Sequence, residues 1–126
     1  MDTLVRYGFS IEDIKNMMDS NQEIENIEDS VILKLIKLLE NENCSQDSIK
    51  NIFITNPFYL NRDVEEVEGL FKELKKNGIK KLNILFDMNP YLLNLNDTDL
   101  NDLIISKKLN RKDFAEFIYS EITHII

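Results

Sequence analysis

The sequence predicts an all-α fold, arranged as a helical-repeat solenoid of about three helix–turn–helix repeats plus a C-terminal capping helix. The hexapeptide TNPFYL recurs as MNPYLL, which places Asn56-Pro57 and Asn89-Pro90 33 residues apart. Apolar residues recur at helical spacing on both sides of each Asn-Pro pair, and no stretch of useful length alternates as a strand does. A recurrence of this period is typical of solenoids, in which helix pairs bury their apolar faces by stacking on each other.

The apolar pattern can be measured from the Asn of each turn. Asn21 fits as the equivalent residue of a first copy, in which Gln22 stands in place of the Pro. Apolar residues lie seven, four and three positions before this Asn, and eleven, fourteen, fifteen and eighteen positions after it. These i, i+3, i+4 and i+7 spacings place them along one side of a helix. The residues are Ile14, Met17, Met18, Ile32, Leu35, Ile36, Leu39, Ile49, Ile52, Phe53, Val67, Leu70, Phe71, Leu74, Leu82, Leu85, Phe86, Leu100, Leu103 and Ile104, with Lys107 as the polar exception.

Each repeat is predicted to be a helix, an Asn-Pro turn and a second helix. The Pro ring disfavours the α conformation of the preceding Asn, and Pro has no N–H with which to continue the helix. The predicted repeats span about residues 8–42, 43–77 and 78–109, and the capping helix spans 110–126. We therefore expect residues 1–126 to form a single domain.

Local signals set the ends of the predicted helices. A short lead-in over residues 3–7 ends at Gly8, which can adopt the left-handed conformation. Ser10 is predicted to cap the next helix, with Asp13 in the capping-box position. In the second repeat Asn43 takes the place of Gly8, and Ser45 takes the place of Ser10. Predicted helices then cover about residues 11–20, 30–40, 46–55, 62–76, 82–88 and 97–108.

The charge of the chain is uneven. Its formal net charge is −8, and residues 1–42 alone contain ten acidic and four basic residues. An acidic surface repels the phosphate backbone that dominates nucleic-acid affinity. No apolar run approaches the ~20 residues of a membrane span, and the N-terminus has no signal-peptide pattern. The single Cys44 fits a reducing compartment, so we expect a soluble, cytoplasmic protein.

The repeat pattern resembles the mTERF family, the mitochondrial transcription termination factor-like proteins. The resemblance is carried by Ile49, Ile52, Phe53, Asn56, Pro57, Tyr59 and Leu60, by Leu82, Leu85, Phe86, Asn89, Pro90, Leu92 and Leu93, and by Gly8-Phe9-Ser10 at the repeat opening. It implies a right-handed superhelix of helix pairs, with a 3₁₀ turn after the Pro and basic side chains that bind nucleic acid. The chain departs from that family in its few repeats, its Gln22 and its acidic charge.

Two charged sets are candidate binding surfaces. A basic edge would serve nucleic acid, because its members recur about one repeat apart; alternatively, these cations only offset helix dipoles. An acidic face would contact a basic protein partner; alternatively, it is a solvated surface. The basic edge comprises Lys72, Lys75, Lys76, Lys80, Lys81, Lys107, Lys108, Arg111 and Lys112. The acidic face comprises Glu12, Asp13, Asp19, Glu23, Glu25, Glu28 and Asp29.

No motif in the sequence indicates catalysis. There is no phosphate-binding Gly-rich loop, nucleophile elbow or metalloprotease motif, and Cys44 and His124 are isolated from each other in sequence. We expect no enzymatic activity, no metal, no cofactor and no small-molecule substrate. Tyr59 and Tyr91 follow the two turn prolines, where they either pack against the neighbouring repeat or form an exposed aromatic ridge.

Two functions follow from these observations. The first is a non-catalytic binding module, an adaptor or regulator that contacts another protein through its acidic face. The second is a nucleic-acid-binding protein of mTERF type that uses the basic edge. Phosphate contacts weaken steeply with salt, so salt dependence distinguishes the two.

Overall fold

The computed structural model describes residues 2–107, with their side chains as far as residue 102. Within residues 2–107 the chain forms seven α-helices, three 3₁₀ helices and no strand, which confirms the predicted all-α class. The α-helices are α1 (Asp2–Tyr7), α2 (Ile11–Ser20), α3 (Asp29–Asn41), α4 (Gln46–Thr55), α5 (Val64–Lys76), α6 (Leu82–Met88) and α7 (Asp97–Lys107). The 3₁₀ helices are turn 1 (Gln22–Asn26), turn 2 (Pro57–Asn61) and turn 3 (Pro90–Asn94). The predicted capping helix 110–126 lies outside the described residues.

The chain divides into two compact units after Val64. The first unit contains α1 to α4 with turns 1 and 2, and the second contains α5 from Glu65, α6, turn 3 and α7. The division falls within the predicted second repeat, at the start of α5. The single domain over residues 1–126 stays a prediction.

The predicted apolar pattern forms the core wherever its side chains are described. Its members on α2 to α6, together with Leu100 on α7, are buried, except for the half-buried Met18. In the first unit the Phe53 ring lies between two aromatic neighbours, with its centroid 5.6 Å from that of Phe9 and 5.5 Å from that of Tyr59. The side chains of Leu103, Ile104 and Lys107 lie outside the described part.

Capping residues explain why α2 and α4 have ten residues and α6 only seven. Ser10 and Asp13 form the predicted capping box, and the Ser45 side chain accepts a hydrogen bond from the Ser48 N–H at 3.1 Å. The equivalent residue in the third segment is Gly78, which has a φ of 97° and no side chain with which to cap. Helix α6 therefore begins three residues later, at Leu82, after Lys81, which provides no side-chain cap.

Left-handed residues close the helices that precede α2 and α4, as predicted. Gly8 has a φ of 111° and Asn43 a φ of 68°. A Cβ on Gly8 would also lie 3.1 Å from Nε2 of Gln46, whose side-chain amide donates to the Tyr7 carbonyl. This position therefore favours glycine both for its backbone conformation and for the close approach of α4.

The three turns share one backbone form although only two contain proline. The turn Asn has φ/ψ of −142°/90° at Asn21, −129°/74° at Asn56 and −149°/93° at Asn89. Each Asn N–H closes the preceding helix by donating to the carbonyl four residues earlier, and a five-residue 3₁₀ helix follows. The Asn conformation, rather than the proline, is the feature common to the three turns.

Candidate functional site

Turns 1 and 2 meet in the first unit through the side-chain amide of Asn21. Its Nδ2 donates to the Pro57 carbonyl at 3.2 Å and to Asn61 Oδ1 at 3.1 Å. Its Oδ1 accepts from the Glu23 N–H and from Asn61 Nδ2, both at 3.3 Å. A primary amide has two N–H groups and an oxygen with two lone pairs, so this buried amide is fully hydrogen-bonded.

Each turn presents the residue two positions after its Asn to solvent. These residues are Glu23, Phe58 and Tyr91, and the two aromatic side chains are 50% and 44% exposed. The next residue in each turn is buried, namely Ile24, Tyr59 and Leu92. A 3₁₀ helix has three residues per turn, so adjacent residues point in different directions. The outward residue is therefore acidic in turn 1 and aromatic in turns 2 and 3.

Of the two alternatives for the tyrosines that follow the turn prolines, packing holds for Tyr59, which is buried, whereas the Tyr91 side chain is exposed. Tyr59 lies three residues after its Asn and Tyr91 only two, so the two tyrosines do not occupy equivalent positions. Phe58 is the equivalent of Tyr91. The sequence alone identifies Phe58 as this equivalent, because Phe58 and Tyr91 each lie two residues after the turn Asn.

Tyr59 is a structural residue of the first unit. Its hydroxyl donates to the Leu35 carbonyl at 2.8 Å, and its side chain is fully buried. Burial is the main reason that the pKa of the Tyr59 phenol lies above its ordinary value of 10.0, with a smaller contribution from Cys44 and an opposing one from Arg62. The buried phenol thus remains neutral at alkaline pH.

Replacing Tyr59 by Phe is expected to lower the free energy of unfolding by about 1 kcal/mol at neutral pH, because one buried hydrogen bond is lost. Above pH 10 the unfolded state ionises while the folded phenol stays protonated. The native chain then loses about 1.4 kcal/mol per pH unit from this group, a loss that Tyr59→Phe does not share. Urea unfolding at pH 7 and 11 should show the difference shrinking to near zero, whereas a constant difference would contradict the assignment.

The seven carboxylates of the acidic face fall into two groups: two have roles within the fold, and five are exposed without such a role in the described contacts. Asp13 belongs to the α2 capping box, and Asp29 Oδ1 accepts a hydrogen bond from the Thr3 N–H at 3.1 Å, so both stabilise the fold. The other five carboxylates are exposed on the first unit. They are Glu12 and Asp19 on α2, Glu23 and Glu25 on turn 1, and Glu28 before α3. The surface available to a partner is therefore smaller than the predicted set.

The first five members of the basic edge are exposed and lie between the last turns of α5 and the start of α6, in the second unit. Lys72, Lys75 and Lys76 lie at the C-terminal end of α5, where a cation offsets the helix dipole. Lys80 and Lys81 precede the N-terminus of α6, where the dipole disfavours a cation. The side chain of Lys107 is not described, and Lys108, Arg111 and Lys112 lie outside the described residues.

The described residues offer little metal or thiol chemistry. They contain no group of three or more His, Cys, Asp and Glu side chains arranged to hold a metal ion. Cys44 is buried, in the place that Phe9 takes one repeat earlier, as expected of a small packed hydrophobe. His124 lies beyond the described part of the chain.

No protein-family model, curated protein or solved structure matches the chain. Among the described residues, no helix has the length and apolar character needed to cross a membrane.

Proposed function

We propose that this chain is a non-catalytic helical-repeat module of mTERF-like architecture, and that it binds another protein through the acidic surface of its first unit. The recurrent order of helix, 3₁₀ turn and helix supports the repeat architecture, since α2–turn 1–α3, α4–turn 2–α5 and α6–turn 3–α7 follow one plan. In this proposal the helix pairs stack as a right-handed solenoid.

The observation that carries the function is the set of five exposed carboxylates on α2, turn 1 and the start of α3. They belong to a stretch, residues 1–42, with six more acidic than basic residues. Such a surface attracts a basic partner and speeds its association through long-range electrostatics. It also repels phosphates, which favours a protein partner over nucleic acid.

The test is capture of partners by the native chain and by a neutralised variant carrying Gln at Glu12, Glu23, Glu25 and Glu28. The immobilised chains are exposed to a protein extract of the source organism, and each captured protein is purified and titrated directly. We expect a partner that binds the native chain at least about tenfold more tightly than the variant. Absence of any protein with this preference would contradict the proposal.

A second candidate function, nucleic-acid binding, is favoured by one observation. Helix dipoles account for the lysines at the end of α5 but disfavour Lys80 and Lys81 before α6. A cluster that meets about four phosphates would bind duplex or single-stranded DNA and RNA about 100-fold more weakly at ~200 mM salt than at ~50 mM. Binding with this salt dependence that is lost when Lys75, Lys76, Lys80 and Lys81 are replaced by Glu would select this function over the first.

A further inference from the structure

Four exposed residues of the first unit occupy corresponding places on two stacked turns. They lie two positions before and two positions after the turn Asn, and they are Asp19 and Glu23 at turn 1 and Ile54 and Phe58 at turn 2. Ile54 is 40% exposed and Phe58 50%. We call this set the turn face: one half is acidic and the other half is apolar.

Packing within the first unit makes the two halves neighbours. Helix α2, which carries Asp19, packs against α4, which carries Ile54, and turn 1 packs against turn 2. The Asn21 amide holds Glu23 to turn 2, because its oxygen accepts the Glu23 N–H while its nitrogen donates to the carbonyl of Pro57, the residue before Phe58. Glu23 and Phe58 therefore lie on two backbone segments that the buried Asn21 side chain links by hydrogen bonds.

We propose that the turn face is a docking surface for a basic amphipathic segment of the partner protein. Ile54 and Phe58 would take an apolar side chain of that segment, and Asp19 and Glu23 would pair with Lys or Arg residues beside it. Arg over the Phe58 ring would add a cation–π contact. The proposal rests on the proposed function and specifies where on the acidic unit the partner binds.

The charge of the turn face and the rigidity of its backbone both favour a basic amphipathic segment as the partner. The carboxylates disfavour an acidic peptide or a phosphate backbone, and the apolar half gives a basic segment contacts that a purely solvated acidic surface lacks. Lone surface hydrophobes are common, but Ile54 and Phe58 lie four residues apart at one turn, and the buried Asn21 amide that binds the Pro57 carbonyl preorganises the Phe58 side of it. Turn 3, in the second unit, has Asp87 and Tyr91 at the corresponding places, which is one carboxylate and one aromatic ring instead of the two carboxylates and two apolar residues of the turn face.

The probe is a fluorescein-labelled amphipathic helical peptide of leucine and lysine, titrated against the full chain by fluorescence anisotropy. We expect Phe58→Ser and Glu23→Lys each to weaken binding at least about fivefold, as residues central to an interface do. The matched controls are Tyr91→Ser, at the same place in turn 3, and Glu68→Lys, the same charge change at an exposed residue of α5. Both controls should stay within about twofold of the native chain, and a leucine–glutamate peptide of the same pattern should not bind.

Three outcomes would overturn the docking surface: no binding of the leucine–lysine peptide, equal binding of the leucine–glutamate peptide, or controls that lose as much affinity as the turn-face variants. Circular dichroism of each variant separates lost binding from lost folding. Backbone amide shifts on peptide addition should centre on Asp19, Glu23, Ile54 and Phe58, and a centre at residues 72–81 would also overturn it.

Failure of this inference is distinguishable from failure of the proposed function. One result would support the proposed function and contradict the turn face. In it, the captured partner no longer binds after Glu12, Glu23, Glu25 and Glu28 are neutralised, but it still binds Phe58→Ser and Glu23→Lys. Capture of no partner that prefers the native chain would remove the function itself.

Discussion

Replacing Phe53 by alanine is expected to lower the free energy of unfolding of the first unit by about 3–5 kcal/mol, the range found for buried aromatic residues. The Phe53 side chain is fully buried and lies against the rings of Phe9 and Tyr59. Truncation removes apolar surface from the core and leaves a cavity that these rings fill only in part. Small domains have a total stability of about 5–15 kcal/mol, so the urea midpoint measured at 222 nm by circular dichroism should fall substantially.

Phe58→Ala is the matched control for Phe53→Ala. It deletes the same atoms from a residue of the same unit whose side chain is half exposed. Its effect should stay below about 1 kcal/mol, because little buried area is lost and no enclosed cavity forms. Equal losses in the two variants would contradict the assignment of Phe53 to the core and of Phe58 to the surface.

The positions of the helices and their buried sides could be predicted because they depend on local periodicity. Ile49, Ile52 and Phe53 point inward because residues three and four apart lie on one side of a helix. The Asn residues were equally informative, since Asn21 adopts the turn conformation even with Gln22 in place of proline. Local sequence was sufficient wherever a single helix or turn decided the outcome.

Capping chemistry explains why α6 begins later in its repeat than α2 and α4 begin in theirs. Ser10 and Ser45 each cap a ten-residue helix, whereas Gly78 at the corresponding place adopts a left-handed conformation. Leu82 was correctly predicted as the first residue of α6. The basis for the short helix, a serine replaced by glycine, was readable from alignment of the three copies.

Contacts between turns could not be predicted from the sequence, because they depend on how the helices pack. Nothing in the pattern distinguishes Asn21 as the residue that joins turn 1 to turn 2, since Asn residues are abundant in this chain. The same limit applied to the acidic face. The sequence predicted the capping role of Asp13, but only the packed structure shows that Asp29 also has a role within the fold, through its hydrogen bond with Thr3.

Replacing Asn21 by alanine is expected to lower the free energy of unfolding by about 2–3 kcal/mol. The substitution removes four hydrogen bonds to Pro57, Asn61 and Glu23, and it leaves the carbonyl of the buried Pro57 without the amide that donated to it. An unsatisfied buried group costs about 1–3 kcal/mol, and the lost volume adds to this. Asn16→Ala on the exposed side of α2 is the control, with an expected change within about 0.5 kcal/mol.

Asn21→Asp tests the hydrogen-bond pattern itself, because aspartate has nearly the same shape. An ionised carboxylate still accepts from the Glu23 N–H and from Asn61 Nδ2, but it cannot donate to the Pro57 carbonyl and brings a charge into a buried site. We expect a loss at pH 7 at least as large as that of Asn21→Ala. Burial would raise the pKa of the introduced carboxyl in the folded state, so acidification toward pH 4 should restore stability to Asn21→Asp relative to the native chain. Because aspartate keeps the volume of asparagine, a stability at pH 7 close to that of the native chain would show that volume, rather than donation to Pro57, is what Asn21 supplies to the contact between the turns.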